Sequence, residues 1–295
     1  MELYSKWLAG NMVIYPGELG NGNVYFVDPS NGDDDNSGVS ANNAKKTMQA
    51  AVDLCTDWNG DHIVRLKGNE TVTTPVLFNK QGITVRIQSF GMPLESAGER
   101  FMTYGSHTDG PAAIVSAPCK LVGLGFCGSE AAGGSLEIDG ETGGFSGGNF
   151  VELNSCRFSH WGVAKAFALI LQGTGDVWVD SCYFDGYTAG YTTAAIQCEL
   201  AGTSGTWVTR IINNTFININ TYAIKMATGA VPVRGIVKGN TVIGAGKFFD
   251  DNNVTGSFGF YDNWLPTATD ATSYGDTVAN LKIAGYKFAG NHYSE

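Results

Sequence analysis

One four-residue phrase returns six times in the second half of this chain, and that repeat constrains the fold more than any other feature. It reads Ser155-Cys156-Arg157-Phe158, Ser181-Cys182-Tyr183-Phe184, Asn213-Asn214-Thr215-Phe216, Gly239-Asn240-Thr241-Val242, Asp262-Asn263-Trp264-Leu265 and Gly290-Asn291-His292-Tyr293. Between second members the offsets are 26, 32, 26, 23 and 28 residues. Periods this irregular suit stacked units of three short strands with turns of variable length, whereas leucine-rich and helical repeats keep steadier periods. Strand side chains alternate, so the second and fourth members face one way. One inward column is then Cys156, Cys182, Asn214, Asn240, and another is Phe158, Phe184, Phe216, Val242, with Phe126 opening it one unit earlier. Arg157, Tyr183, Thr215 and Thr241 point out. Stacked amides in such a column can hydrogen-bond along it; alternatively the Asn residues mark bends, where Asn tolerates left-handed backbone angles. The expected fold is all-β, a single-stranded right-handed parallel β-helix.

Upstream, Ala44 to Cys55 carries Ala44, Met48, Ala51, Val52 and Cys55 at helical spacing, predicting one short α-helix within about residues 43–56 that caps the first unit. Strands are expected at Ile63 to Leu66, Ile83 to Ile87, Ala113 to Val115 and Lys120 to Phe126, each bounded by turn residues. The division is a docking arm at residues 1–22 and a β-helix domain at 23–295. Leu3, Tyr4, Trp7, Leu8, Met12, Val13, Ile14 and Tyr15 make the arm too apolar for a free tail, so it folds back or docks on a partner.

Composition excludes several classes. Net charge is −10, and the 18 Lys and Arg are scattered, so no surface tracks nucleic-acid phosphates. No apolar run reaches the roughly 18–20 residues of a membrane helix, and the start lacks the pattern of a secretory signal. The six cysteines show no Cys-x-x-Cys spacing and read as buried thiols. The acidic loop Asn31 to Gly38 fails the twelve-residue calcium pattern, since a frame from Asp33 meets Ala44 where a carboxylate is needed, and reads as a turn. Neither a metal nor a cofactor is expected.

The stretch Tyr25-Phe26-Val27-Asp28-Pro29, followed by Gly32, Asp34, Gly38, Lys46-Thr47 and Ala51, resembles the opening of pectin-lyase-like parallel β-helix proteins, and Asn213-Asn214-Thr215-Phe216 is similar to a coil phrase of that superfamily. The resemblance covers about residues 23 to 295. Members that begin almost at once with the first strand, without a signal peptide, resemble virion components of tailed bacteriophages. That likeness implies a capsid decoration or cement protein located in the virion and anchored through its arm, the expected lack of a particle-binding domain before the helix and of a trimerising domain after it counting against a complete tailspike. The partners implied are two further copies in a homotrimer, phage capsid or tail proteins, and host surface polysaccharide.

The alternative is a tailspike-like protein that binds or cleaves polysaccharide. Hydrolysis of a glycosidic bond needs two carboxyl groups, one to protonate the leaving oxygen and one to activate water or attack the sugar. Asp180 and Asp185, which flank Phe184, are the candidate catalytic pair, with Glu152, Asp176 and the adjacent Asp250-Asp251 nearby in the stack. None sits in a polygalacturonase-like signature. Trp161 and Tyr187, each three residues after the Phe column, with the outward Tyr183, form a candidate carbohydrate-binding strip or a subunit contact. His160 has no nucleophile that spacing places beside it, and Gly143 to Gly148 lacks the Lys-Ser/Thr of a phosphate loop.

Overall fold

The computed structural model describes residues 22–66, 68–87, 101–104, 111–128, 134–139, 150–160, 165–172, 176–186, 190–199, 207–226, 233–244, 247–250 and 257–264. The chain is all-β, and its strands form three parallel sheets that it visits in rotation. The first sheet has nine strands: Val24–Val27, His62–Arg65, Ile83–Ile87, Cys119–Val122, Phe150–Asn154, Asp176–Asp180, Trp207–Ile212, Val233–Lys238 and Ser257–Tyr261. The second has seven: Glu70–Val72, Phe101–Tyr104, Gly125–Gly128, Arg157–His160, Tyr183–Asp185, Thr215–Ile217 and Thr241–Ile243. The third also has seven: Val76–Phe78, Ala113–Val115, Leu136–Asp139, Lys165–Gln172, Tyr191–Glu199, Tyr222–Met226 and Lys247–Asp250. From His62 onward each circuit of the chain contributes one strand to each sheet, in that order.

Like residues stack because neighbouring strands pair in register. Phe126, Phe158, Phe184, Phe216 and Val242 are successive partners in the second sheet. Their ring centroids lie 5.4, 4.6 and 4.8 Å apart, with planes within 22° of parallel. Each buried ring contributes about 1.5–3 kcal/mol by leaving water. Val85, Leu121, Leu153, Val179, Ile211 and Val237 form the matching column of the first sheet, and Leu136, Leu169, Ile196, Ile224 and Phe249 that of the third. Residues from all three sheets belong to one hydrophobic cluster.

The corner between the first and second sheets settles how the repeated phrase works. Its first member takes the left-handed conformation, with φ of 53° at Ser155, 55° at Ser181, 56° at Asn213, 65° at Gly239 and 51° at Asp262. The second member points inward, so the bend and the ladder both exist, on adjacent residues. Asn214 Nδ2 donates to Val179 O and to Asn240 Oδ1, and Asn240 Nδ2 donates to Ile211 O and Asn263 Oδ1, all within 2.8–3.0 Å. Each side-chain oxygen also accepts the backbone N–H of the residue above it in the column. These amides are at most 1% exposed, and their pairing removes the penalty that burial would otherwise carry.

The helix is Met48–Leu54, starting four residues later than the periodicity predicts. Ala44 to Thr47 are not helical, and Lys45 bridges Val27. The start is fixed from outside: Asp34 Oδ1 accepts from Lys46 N and Thr47 N, Asp34 Oδ2 accepts from Thr47 Oγ1, and Thr47 Oγ1 accepts from Ala50 N as the N-cap. The acidic loop is therefore a hydrogen-bonded turn that clamps the helix, with Asp28 likewise accepting from Ser30 N and Asn31 N. Met48, Ala51 and Val52 bury against the earliest strands. Two strand bounds also differ from expectation. His62–Arg65 lies one residue earlier, and Lys120 to Phe126 divides into two strands at Gly123, whose φ is 69°.

Candidate functional site

Connection lengths show which face the chain leaves free to vary. From Val122 onward, two residues join the first sheet to the second. Over the same stretch the connections run three to seven residues between second and third sheets and three to ten between third and first, whereas before it four and thirteen residues join the first sheet to the second. From Val122 onward variation is thus concentrated at the two ends of the third sheet's strands, and loops set on a rigid scaffold are where binding groups gather.

The outer face of that sheet mixes apolar residues, Leu77, Ile114 and Ile170, with polar ones. Leu136 and Ile138 enter the core, so Glu137 and Asp139 stand on the opposite face of the same strand. Glu137 pairs with Ile114 on one side and Ile170 on the other; the row continues through Gln197, Lys225 and Asp250 on the next three strands, and Gln172 lies beside Asp139. Lys225 Nζ lies 3.8 Å from Asp250 Oδ2 and 5.8 Å from the Tyr222 ring centre. Gln197 is only 6% exposed, and its Oε1 is buried with no hydrogen-bond donor. An unpaired buried carbonyl costs about 1–3 kcal/mol. Residues two apart on one strand face have Cα atoms roughly 6.6 Å apart along the strand.

A second polar group lies on the outer face of the second sheet. Arg157 Nη2 is 3.7 Å from Asp185 Oδ2, its guanidinium carbon sits 5.2 Å from the Tyr183 ring centre, and Asn218 Nδ2 donates to Asp185 Oδ1 at 3.2 Å. The Tyr191 hydroxyl donates to Asp185 O at 3.2 Å. Burial pushes the Tyr191 phenol well above its ordinary value, helped by Asp185 and Cys127. Tyr183 is raised by burial and by Asp185, with Arg157 pulling the other way. Both phenols stay protonated at neutral pH, Tyr191 as a hydrogen-bond donor.

Of the residues singled out in the sequence, Tyr183 is half-buried in the second sheet, and Asp185 ends the same strand but is only 8% exposed. Asp180 ends a first-sheet strand, where Oδ1 accepts from Ser181 Oγ at 2.9 Å. The two carboxylates therefore belong to different sheets with a corner between them, and each has its own partners. Glu152 pairs with Lys120 Nζ at 2.9 Å. Asp176 begins the Asp180 strand, and Asp250 faces Lys225. Trp161, Tyr187, Asp251, the His160 side chain and the arm residues Leu3, Tyr4, Trp7, Leu8, Met12, Val13, Ile14 and Tyr15 lie outside the described residues. Sequence reading missed Glu137, Asp139, Gln172 and Gln197; the signal was present as strand alternation, but those strands fall outside the repeated phrase. Among the described residues, no three His, Cys, Asp or Glu cluster as a metal site would.

No protein-family profile and no curated protein matches this sequence. Solved structures do match. Two are the native and selenomethionine forms of the GH136 lacto-N-biosidase from Eubacterium ramulus, each with a TM-score of 0.52, at 10% and 12% identity. The likeness is one of fold. Each match covers 82% of this chain, which spans 56% of the length of the enzyme it matches.

Proposed function

We propose that the three sheets are the faces of one right-handed parallel β-helix, closed at its start by Met48–Leu54, and that its third face binds and hydrolyses a carbohydrate chain. Right-handed crossover is the near-universal rule for parallel strands joined in one sheet, and the shared hydrophobic cluster supports a single solenoid. The observation that carries the activity is the placement of Glu137 and Asp139 on one strand face, in the row that continues two strands on to the buried Gln197. Their Cα atoms are roughly 6.6 Å apart along the strand, a separation from which side-chain rotation can set the two carboxyl groups within the about 6.5–9.5 Å used in inverting hydrolysis. One carboxyl protonates the glycosidic oxygen as it leaves, while the other takes a proton from the water that attacks the anomeric carbon from the opposite side. Gln172, Gln197 and Lys225 supply the hydrogen bonds that hold sugar hydroxyls. The fold likeness to a lacto-N-biosidase agrees with this reading.

Particle docking has no comparable support, since the arm on which it rested lies outside the described residues except for Gly22. Incubation with a panel of β-linked oligosaccharides should release reducing ends with inverted anomeric configuration by NMR. Glu137→Gln and Asp139→Asn should each lower kcat by about 10²–10⁴-fold with little change in KM. Undiminished cleavage in both variants, or no cleavage of any substrate by the native chain, would sink the assignment.

A further inference from the structure

Six described residues other than glycine have positive φ, and five of them are Ser, Asn or Asp in turns and corners. The sixth is Trp58, at φ 57°. A bulky aromatic side chain in this region is a steric outlier, whereas small polar residues reach it readily. Trp58 is nevertheless 69% exposed, so burial of its ring does not compensate the strain. Its surroundings hold it in place. Trp58 N donates to Gln81 O at 2.8 Å, Gln81 N donates to Asp57 Oδ1 at 2.7 Å, and Gly82 N donates to Pro118 O at 2.7 Å. Across the same loop, Asp61 accepts from Thr56 N and Asn59 Nδ2. Gly82 makes room for the indole: a Cβ there would stand 3.3 Å from Trp58 Cε3. A strained backbone that rigidly displays a ring to solvent points to a purpose for the ring.

We propose that Trp58 is a carbohydrate-stacking platform, a binding subsite at the start of the first sheet and separate from the third face. The apolar C–H face of a pyranose matches one indole in size, and the polar groups of Asp57, Asn59 and Gln81 at its border suit the equatorial hydroxyls of a bound ring. A protein partner fits less well, because a single indole offers about 200 Å² against the roughly 800 Å² per side of a stable interface. The platform would retain a long chain by a second point of attachment, raising effective affinity without new chemistry. The proposal stands on Trp58 and its loop, and it survives even if Glu137 and Asp139 prove inert.

Binding of cellohexaose, laminarihexaose and a β-1,4-galactan hexamer is measured by calorimetry and saturation-transfer NMR on the full chain carrying Glu137→Gln, so that nothing is cut. At least one hexamer should bind, with transfer to its ring C–H protons. Trp58→Gly suits the positive φ, so its Tm should equal or exceed that of the parent while affinity falls at least tenfold; Trp58→Phe should keep most of the affinity. Equal affinity in Trp58→Gly, no binding by any hexamer, or a Trp58-dependent oligomer seen by light scattering without sugar binding would each overturn the assignment.

Discussion

Asn240 is wholly enclosed, yet every polar atom of its amide is engaged. Its nitrogen donates to Ile211 O and Asn263 Oδ1, and its oxygen accepts from both Asn214 N and Asn214 Nδ2. Asn240→Ala removes these four bonds and leaves a void in a dry corner, so the expected loss is about 3 kcal/mol. Cysteine should do better. In the same column Cys156 Sγ donates to Leu121 O and Cys182 Sγ to Leu153 O, at 3.4 and 3.6 Å, the same step that Asn214 makes to Val179 O. Asn240→Cys should therefore lose roughly half as much as Asn240→Ala, since one donor of the amide survives in the thiol. Urea midpoints of the two variants check this ordering, and equal losses would show that volume rather than hydrogen bonding governs the column.

At the level of the element, the two-residue corner is the device that keeps the first and second sheets in step. Its left-handed first member costs an L-residue about 1–2 kcal/mol, and glycine relieves that at some cost in chain entropy. Ser181→Gly should thus be neutral to about 0.5 kcal/mol stabilising. The reverse change at the next-but-one corner, Gly239→Ala, should cost at least about 1–2 kcal/mol, because φ is 65° and the new Cβ would stand 2.5 Å from Asn213 Oδ1. Thermal unfolding of both variants tests the pair, and a stabilised Gly239→Ala would contradict it. These corners explain why the fold was readable from sequence. From Val122 onward a fixed two-residue bend puts like residues at fixed places, so Phe158, Phe184 and Phe216 announce themselves, while the variable lengths in that stretch fall elsewhere in the circuit. The third sheet has no such bend. Its strands begin after connections of unequal length, so Glu137 and Gln197 carry no shared offset, although their alternation with core residues places them correctly once the strands are known. Arg65 was illegible for another reason: strand alternation predicts an apolar inward residue there, but the side chain is 1% exposed with Glu70 Oε2 at 4.0 Å from its Nε.

For the whole molecule, the proposed solenoid shares one interior, and that interior holds thiols. All six cysteines are buried and unpaired with one another. Burial pushes Cys119 and Cys198 from the ordinary 9.0 up to about 12, and Cys55 to about 12 through burial and the nearby Asp61 carboxylate. The sign of the pH effect follows directly. Unfolded thiols release their protons from about pH 9, while the folded ones hold theirs until about 12, so unfolding releases protons across that window and stability falls as pH rises through it. Each fully shifted thiol contributes a slope of about 1.4 kcal/mol per pH unit, so Cys119 and Cys198 together give nearly 3. Because neighbouring circuits support one another, a charge forced into one layer weakens the layers on both sides. Urea midpoints should accordingly be level below pH 9 and drop steeply between 9 and 11. The double variant Cys119→Ala, Cys198→Ala should start less stable, since it leaves small voids, yet show a distinctly shallower alkaline slope. A slope unchanged by that pair of substitutions would mean that groups other than these buried thiols govern alkaline unfolding.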